Sequence, residues 1–217
     1  MRSLIKSQII IIGSGGQSRM IIECAQRLKY KVKYIIDIKK KKDVEEKILS
    51  IPVKNLNYLK NIKKKTKAFL AIGDNVIRSK FYNKYKLYYD FINLVHPSSY
   101  VAKNIILGKA NFIAPKAIVN SLSKIGNNCI INSGSIIEHE CEINDNVHVG
   151  PGSILCGRSK AKLNVFIGSG SIIFPKIVIE KNCVIGAGSL VSNKTTPNSL
   201  YLGSPAKLKK KYGQNKI

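Results

Sequence analysis

The sequence predicts two domains of different class: an α/β sheet of Rossmann type over residues 1–92 and a parallel β-helix over 93–206, followed by a basic tail at 207–217. Three observations carry this reading. Every sixth residue from Val95 is apolar, the residue four places further on is mostly small, and the first ninety residues alternate apolar runs with glycine-rich turns and helical patterns.

The opening run QIIII (8–12) reads as a buried strand and GSGG (13–16) as a tight turn. The stretch from Gln17 reads as an amphipathic helix whose apolar face includes Met20, Ile21, Cys24 and Leu28. VKYIID (32–37) is a second strand, and AFLAIG (68–73) is a third, followed by a helix through DNVIRSKFYNKY. Such alternation builds a small open parallel sheet. Ligands of these sheets bind beyond the carboxyl ends of the strands, where Gly13 to Gln17, Asp37 and Gly73 to Arg78 converge. A turn that presents backbone N–H groups at a helix N-terminus suits phosphate, and Arg78 is placed to add a charge-assisted contact. Ser18 stands where a dinucleotide fingerprint needs a third glycine, and the sheet is too small for a whole NAD. The same glycines also fit a tight turn that binds nothing.

From Val95 the six-residue series runs through Val101, Leu107 and Ile113 to Val191, and sixteen of its seventeen members are Ile, Val or Leu. A helix cannot use that period, and an ordinary strand buries every second residue. Short strands separated by tight turns can use it, as in a hexapeptide β-helix. The large residue fills the interior of the coil, a small one such as Ser135, Cys141 or Ser153 fits at the bend, and Gly or Asn tolerates the turn. GRSKAKLNV (157–165) breaks the pattern, with Ala161 inside and Lys162 where Gly is usual, and predicts a distorted coil.

Composition narrows the function. The chain of 217 residues is 44% hydrophobic, which excludes a disordered protein. No apolar run approaches the roughly 18 residues needed to cross a bilayer, so no membrane insertion is expected. SLIKSQIIIIGSGG has too short an apolar centre for a secretory signal, which places the protein in the cytoplasm. Five cysteines without close pairs predict neither zinc nor a disulfide framework; Cys129, Cys141 and Cys183 fall on inward positions, and Cys156 is less settled. The net charge of +25 comes almost entirely from lysine, with only five arginines. Scattered lysine without an aromatic platform or Arg cluster argues against nucleic acid as the partner. IKKKK (38–42), IKKKTK (62–67) and KLKKKYGQNKI (207–217) read as solvated loops and a loose tail.

Within the repeat, Glu138, His139 and Glu140 are consecutive. Ile137 and Cys141 point inward in the register, so the three ionisable residues occupy a corner of the prism. An imidazole beside a carboxylate is equipped to take a proton from an attacking amine or hydroxyl. A solvated corner with no chemical role fits the same spacing.

Beyond these readings, GSGGQ (13–17), Asp37, AIGDNVIR (71–78), HPSSYV (96–101), IINSGSIIEHECEI (130–143), VHVGPGSILCG (147–157) and YLGSPAK (201–207) resemble a known family. It is the bacterial nucleotide-sugar acetyltransferases, of the bacillosamine and perosamine N-acetyltransferase and sialic acid O-acetyltransferase type. The resemblance implies a left-handed β-helix of about eighteen residues per coil and a homotrimer with active sites between subunits. It implies acetyl-CoA as co-substrate, a nucleotide-amino sugar as acceptor, and no metal.

By the same resemblance His139 is the general base, Glu140 orients it, Asn132 helps hold the sugar and His148 contacts acetyl-CoA or the sugar. The N–H of Gly157 stabilises the oxyanion. Ser169, Gly186, Ala187, Gly203 and Pro205 line the coenzyme groove. Ser14, Gly15, Gly16, Asp37, Gly73, Asn75 and Arg78 meet the sugar nucleotide. Gln17 and Ser18 replace a His and a Gly of the bacillosamine enzyme, which leaves the nucleotide and sugar open.

Three alternatives are kept. The acceptor is a hydroxyl, as in the sialic acid enzymes. A γ-type carbonic anhydrase shares the repeat, but needs three metal-binding histidines, and His96, His139 and His148 are spaced 43 and 9 apart. A non-enzymatic basic β-helix binding protein is the third.

Overall fold

The computed structural model describes residues 7–39 and 46–213. The lysines at 40–42 and the last four residues of the tail lie outside the described residues. Two compact units make up the chain, Met1–Pro97 and Ser98–Ile217.

In the first unit the elements are β1 (Ser7–Ile12), α1 (Gln17–Arg27), β2 (Tyr30–Asp37), β3 (Glu46–Ile48), β4 (Ile51–Asn55), β5 (Lys67–Leu70), α2 (Asn75–Tyr85), β6 (Asp90–Phe91) and β7 (Leu94–Val95). The sheet runs β3-β4-β2-β1-β5-β6, parallel except for the β3/β4 hairpin. Ile9 to Ile12 are almost wholly buried because β1 is central and covered on both faces. Helix α1 buries Ile21, Ile22, Cys24 and Ala25, whereas Met20 and Leu28 are only half-buried, so its inner face is turned slightly from the expected one. Asp74 caps α2 by accepting from the Ile77 N–H at 2.8 Å.

The second unit is the β-helix. Two-residue strands stack at intervals of eighteen, as in Phe112↔Ile130↔His148↔Phe166, Ile118↔Ile136↔Ile154↔Ile172 and Lys124↔Glu142↔Lys160↔Val178. These define three parallel faces, here called first, second and third. Ile113, Val119, Ile131, Ile137, Val149, Leu155 and Ile167 are fully buried in the interior, each contributing about 1.5–3 kcal/mol by leaving water. Ser135, Ser153 and Cys141 are equally buried at the bends.

The three corners differ in chemistry. Each turn needs one residue with left-handed backbone, and between first and second faces that residue is Gly134, Gly152, Gly170 and Gly188 in successive coils. Between third and first faces it is Asn128, Asn146, Asn164 and Asn182, whose side chains form a ladder: Asn128 Nδ2 donates to Asn146 Oδ1 at 2.6 Å and Asn164 Nδ2 to Asn182 Oδ1 at 3.1 Å. Between second and third faces it is Leu122, Glu140, Arg158 and Lys176. Left-handed backbone costs a residue with a β-carbon about 1–2 kcal/mol, and this corner bears that cost in four coils, whereas at the other two corners only Lys116 and Ala110 stand in place of Gly or Asn.

Two expectations are corrected. The turn at 157–165 is regular: Ala161 pairs with Ile143 and Ile179, is fully buried, and the Lys162 N–H donates to Ile179 O at 2.9 Å. Alanine fits because the rungs above and below supply the larger side chains. The tail is not loose throughout, since Lys207–Lys211 pairs antiparallel with Ser199–Leu202 on the first face.

Candidate active site

His139 sits at the corner between second and third faces, because Ile136–Ile137 and Glu142–Ile143 belong to those faces and the four residues between them must turn. Its side chain is about half exposed. His139 Nδ1 lies 2.9 Å from Glu140 Oε2, and Arg158, one coil on, donates from Nε to that same oxygen at 3.0 Å. The His139 hydrogen bond, then that of Arg158, hold the Glu140 carboxyl below the usual carboxylate range. Glu138 is held apart from this group by Asn120, whose Nδ2 donates to its Oε2 at 3.1 Å.

With Nδ1–H donating to Glu140, Nε2 carries the lone pair and faces Gly157. A β-carbon built on Gly157 would lie 2.6 Å from His139 Nε2 and 2.8 Å from Cε1, so only glycine leaves the imidazole its position. The Gly157 N–H donates to no group among the described residues, while its carbonyl accepts from Lys176 at 3.0 Å. Beside this corner a cavity of about 610 Å³ opens on the third face, lined by Lys124, Glu140, Glu142, Arg158, Lys160 and Lys176 among others.

Asn132 and His148 form a second group. Asn132 Nδ2 lies 3.2 Å from His148 Nε2, and the buried imidazole packs edge-on against Phe166 with ring centroids 5.0 Å apart. Asn132 occupies the corner between first and second faces, as do Gly168 and Gly186 in later coils, with Ser169 and Ala187 exposed beside them. Gly203 and Pro205 continue past the last coil, where the Gly203 N–H donates to Ser189 Oγ at 3.2 Å. The expected residues therefore fall in two columns, on opposite edges of the second face. His139, Glu140 and Gly157 are brought together, as are Asn132 and His148, but one chain does not join the two groups.

In the first unit the strand ends converge. Ser14 Oγ donates to Asp37 Oδ2 at 2.8 Å, tying the turn after β1 to the end of β2. Gln17 Oε1 lies 3.5 Å from where a Gly73 β-carbon would stand, which brings the start of α1 beside the turn after β5. Gly13 is obligatory, since φ is +114° and a β-carbon would overlap the Ala71 carbonyl. Gly15 and Gly16 are exposed with open space over them. Arg78 departs from expectation: it is 1% exposed, and its guanidinium donates to Ile72 O, Gly73 O and Asn75 Oδ1 at 3.1, 3.1 and 2.8 Å. A buried cation must be solvated by the chain, and here it clamps the turn between β5 and α2. Sequence reasoning also passed over Arg158, although the eighteen-residue interval from Glu140 points to it.

Among the described residues no three His, Cys, Asp or Glu side chains gather as a metal site, and no helix is long and apolar enough to cross a membrane. His96 is buried in the first unit, with its pKa lowered by desolvation and then by Arg27.

These features define an acyltransferase of the hexapeptide-repeat class. Residues 8–85 match the PglD N-terminal domain and residues 123–157 the bacterial transferase hexapeptide (six repeats). Perosamine N-acetyltransferase from Caulobacter crescentus, solved in complex with CoA and GDP-perosamine, is 29% identical, with a TM-score of 0.86 over 96% of this chain and 100% of that one. At 24% identity the acetyltransferase domain of PglB from Neisseria gonorrhoeae FA1090, in complex with acetyl coenzyme A, shares the fold (TM-score 0.84, 93% and 98% covered). WeeI from Acinetobacter baumannii AYE does so at 19% (TM-score 0.80, 94% and 100%). No curated protein matches the sequence. Over nearly its whole length the chain is similar to an acetyltransferase that acts on a nucleotide-linked amino sugar.

Proposed function

We propose that the protein transfers an acetyl group from acetyl-CoA to the 4-amino group of a nucleotide-linked sugar, with His139 as general base. The amine nitrogen attacks the thioester carbonyl, its proton passes to His139 Nε2, and the C–S bond of the collapsing tetrahedral intermediate breaks to release CoA. The imidazolium then returns the proton to the departing thiolate. Glu140 holds Nδ1–H and steadies the charged ring, and the Gly157 N–H receives the oxyanion. The observation that carries this reading is the His139–Glu140 pair with Nε2 turned toward Gly157.

Asn132 and His148 belong to the same reaction if a second copy supplies them. Tyr100, Ile118, Ile136, Ile154, Ile172 and Leu190 form an apolar ladder on the outer side of the second face, and Tyr100 and Ile172 are 59% and 37% exposed. Three parallel prisms that turn this face toward a common axis set the His139 edge of one against the Asn132 and Gly186 edge of the next. We therefore assign a homotrimer, with acetyl-CoA along Ser169, Gly186, Ala187, Gly203 and Pro205 of the neighbour. Ser14, Gly15, Gly16, Asp37, Gly73 and Asn75 hold the sugar nucleotide, with Arg78 shaping that turn from behind. Residues 1–92 form the nucleotide domain and 93–206 the transferase domain. Both substrates are metabolites of the cytoplasm, where the enzyme is assigned.

Release of free thiol from acetyl-CoA, measured against UDP-, GDP- and dTDP-linked amino sugars and free sialic acid, tests the reading. One amino sugar should react well above the rest. Turnover of sialic acid alone would make it an O-acetyltransferase, and no turnover with any acceptor by folded protein would remove the assignment.

A further inference from the structure

The hydrogen bonds that define the base include one cation that the proposed reaction does not use. Arg158 occupies the same corner as Glu140, eighteen residues on, and both hold left-handed backbone, with φ of 63° and 59°. Its N–H donates to His139 O at 3.0 Å and its Nε to Glu140 Oε2 at 3.0 Å, the oxygen that also meets His139 Nδ1. At the other two corners most coils place Gly or Asn in this backbone position. Glycine at 158 would relieve the backbone, yet the chain keeps a side chain there, and that side chain reaches the carboxylate.

We propose that Arg158 is a positioning residue for the base: from the neighbouring coil it fixes the Glu140 carboxylate, which in turn holds His139 in one tautomer with Nε2 toward Gly157. An exposed Glu beside an exposed His has many rotamers, and a carboxylate anchored by a single neighbour swings freely between them. The guanidinium removes that freedom, because it approaches from the coil above, while the imidazole approaches within the turn. Lys176, the next residue in this column, and Lys124 and Lys160 on the third face also line the cavity. Lys160 is paired with Glu142 at 3.1 Å, and no ion pair among the described residues joins Lys124 or Lys176 to Glu140. The role therefore falls to Arg158 alone.

The inference rests on His139 being the base, and the test separates the two. Arg158→Gln and Arg158→Gly are compared with wild type for kcat and KM, with ¹⁵N spectra of the His139 ring recorded at alkaline pH. Both variants should lose about 10- to 100-fold in kcat, as misplaced groups do, with KM for both substrates within about twofold. The ring should change from a single Nδ1–H form to a mixture of tautomers. Arg158→Lys, which keeps the charge, should recover a large part of kcat. Arg158→Gly should also melt at a higher temperature than wild type, since glycine accepts the backbone, so that stability and activity move in opposite directions. Unchanged kcat and tautomer in both variants, beside an inactive His139→Ala, would overturn the proposal and leave the base assignment standing. Raised KM at constant kcat would overturn it too, making Arg158 a substrate contact. An active His139→Ala would remove both assignments together.

Discussion

His139 and Gly157 stand one coil apart, and a β-carbon on Gly157 would fall 2.6 Å from His139 Nε2. The glycine therefore sets the place of the imidazole through space it leaves empty. Gly157→Ala should push the ring off its hydrogen bond to Glu140 and lower kcat by about 10²-fold or more, within the range that loss of general-base catalysis gives. Thermal melting and circular dichroism should stay close to wild type, because the added methyl meets only the half-exposed His139 ring, which can swing aside without disturbing the coil. Full activity in this variant would show that the ring need not stay where the structure has it.

Titration of Glu140 offers a check by a different route. Its carboxyl is held below the usual range by His139 first and Arg158 second. A folded pKa below the unfolded one, roughly 4.3 for Glu, means that the pairing favours the fold above that unfolded value and is lost as the pH falls through the folded pKa. Arg158→Gln should move the Glu140 titration upward toward the ordinary carboxylate value, read by ¹³C chemical shift of the side-chain carboxyl. A titration that stays in place would mean Arg158 contributes nothing to the carboxylate.

The thiols should be quiet. Cys24 is pushed up to about 12, by burial first and then by Glu23, and Cys141 and Cys183 are raised chiefly by burial. Cys156, only partly covered, is raised by desolvation and by Glu138. Thiolate is the reactive form, so native protein at neutral pH should give at most one slow equivalent with a disulfide reagent, and five after denaturation. A fast native thiol would reopen the question of a covalent acyl carrier.

Assembly and activity should fail together. Ile154 lies at the middle of the apolar ladder on the second face, and Ile154→Glu places a charge where a neighbouring copy would have to exclude water. Sedimentation should show monomers, and turnover should drop to the background level while the melting transition of the single chain persists. An active monomer would mean that one prism holds the whole site.

Much of the β-helix was legible because its interior accepts one large side chain every six residues, and Ile113, Ile131 and Ile137 repeat that demand without slip. The charged corner was legible for the same reason: once Ile137 and Cys141 are inside, Glu138 to Glu140 have only the turn. The β3/β4 hairpin was not foreseen. Its turn uses Leu49 and Ser50 at positive φ, without the Asn-Gly or Asp-Gly pair that marks such turns in sequence. Arg78 was placed at the ligand because its charge suggested phosphate; burial is set by packing around α2, which no spacing rule reports. Ala161 predicted a weak coil since a local pattern does not register the rungs on either side.

The strand Lys207–Lys211 runs opposite to every rung beneath it on the first face. A parallel β-helix whose last rung stayed bare would offer its open amides to the next molecule and could grow end to end into fibres. Reversing the chain there turns the sheet's growing edge into an outer ribbon bearing Lys207, Lys209, Lys210 and Lys211, whose mutual repulsion resists such stacking. Four of the chain's lysines thus stand on the edge where such stacking would have to begin.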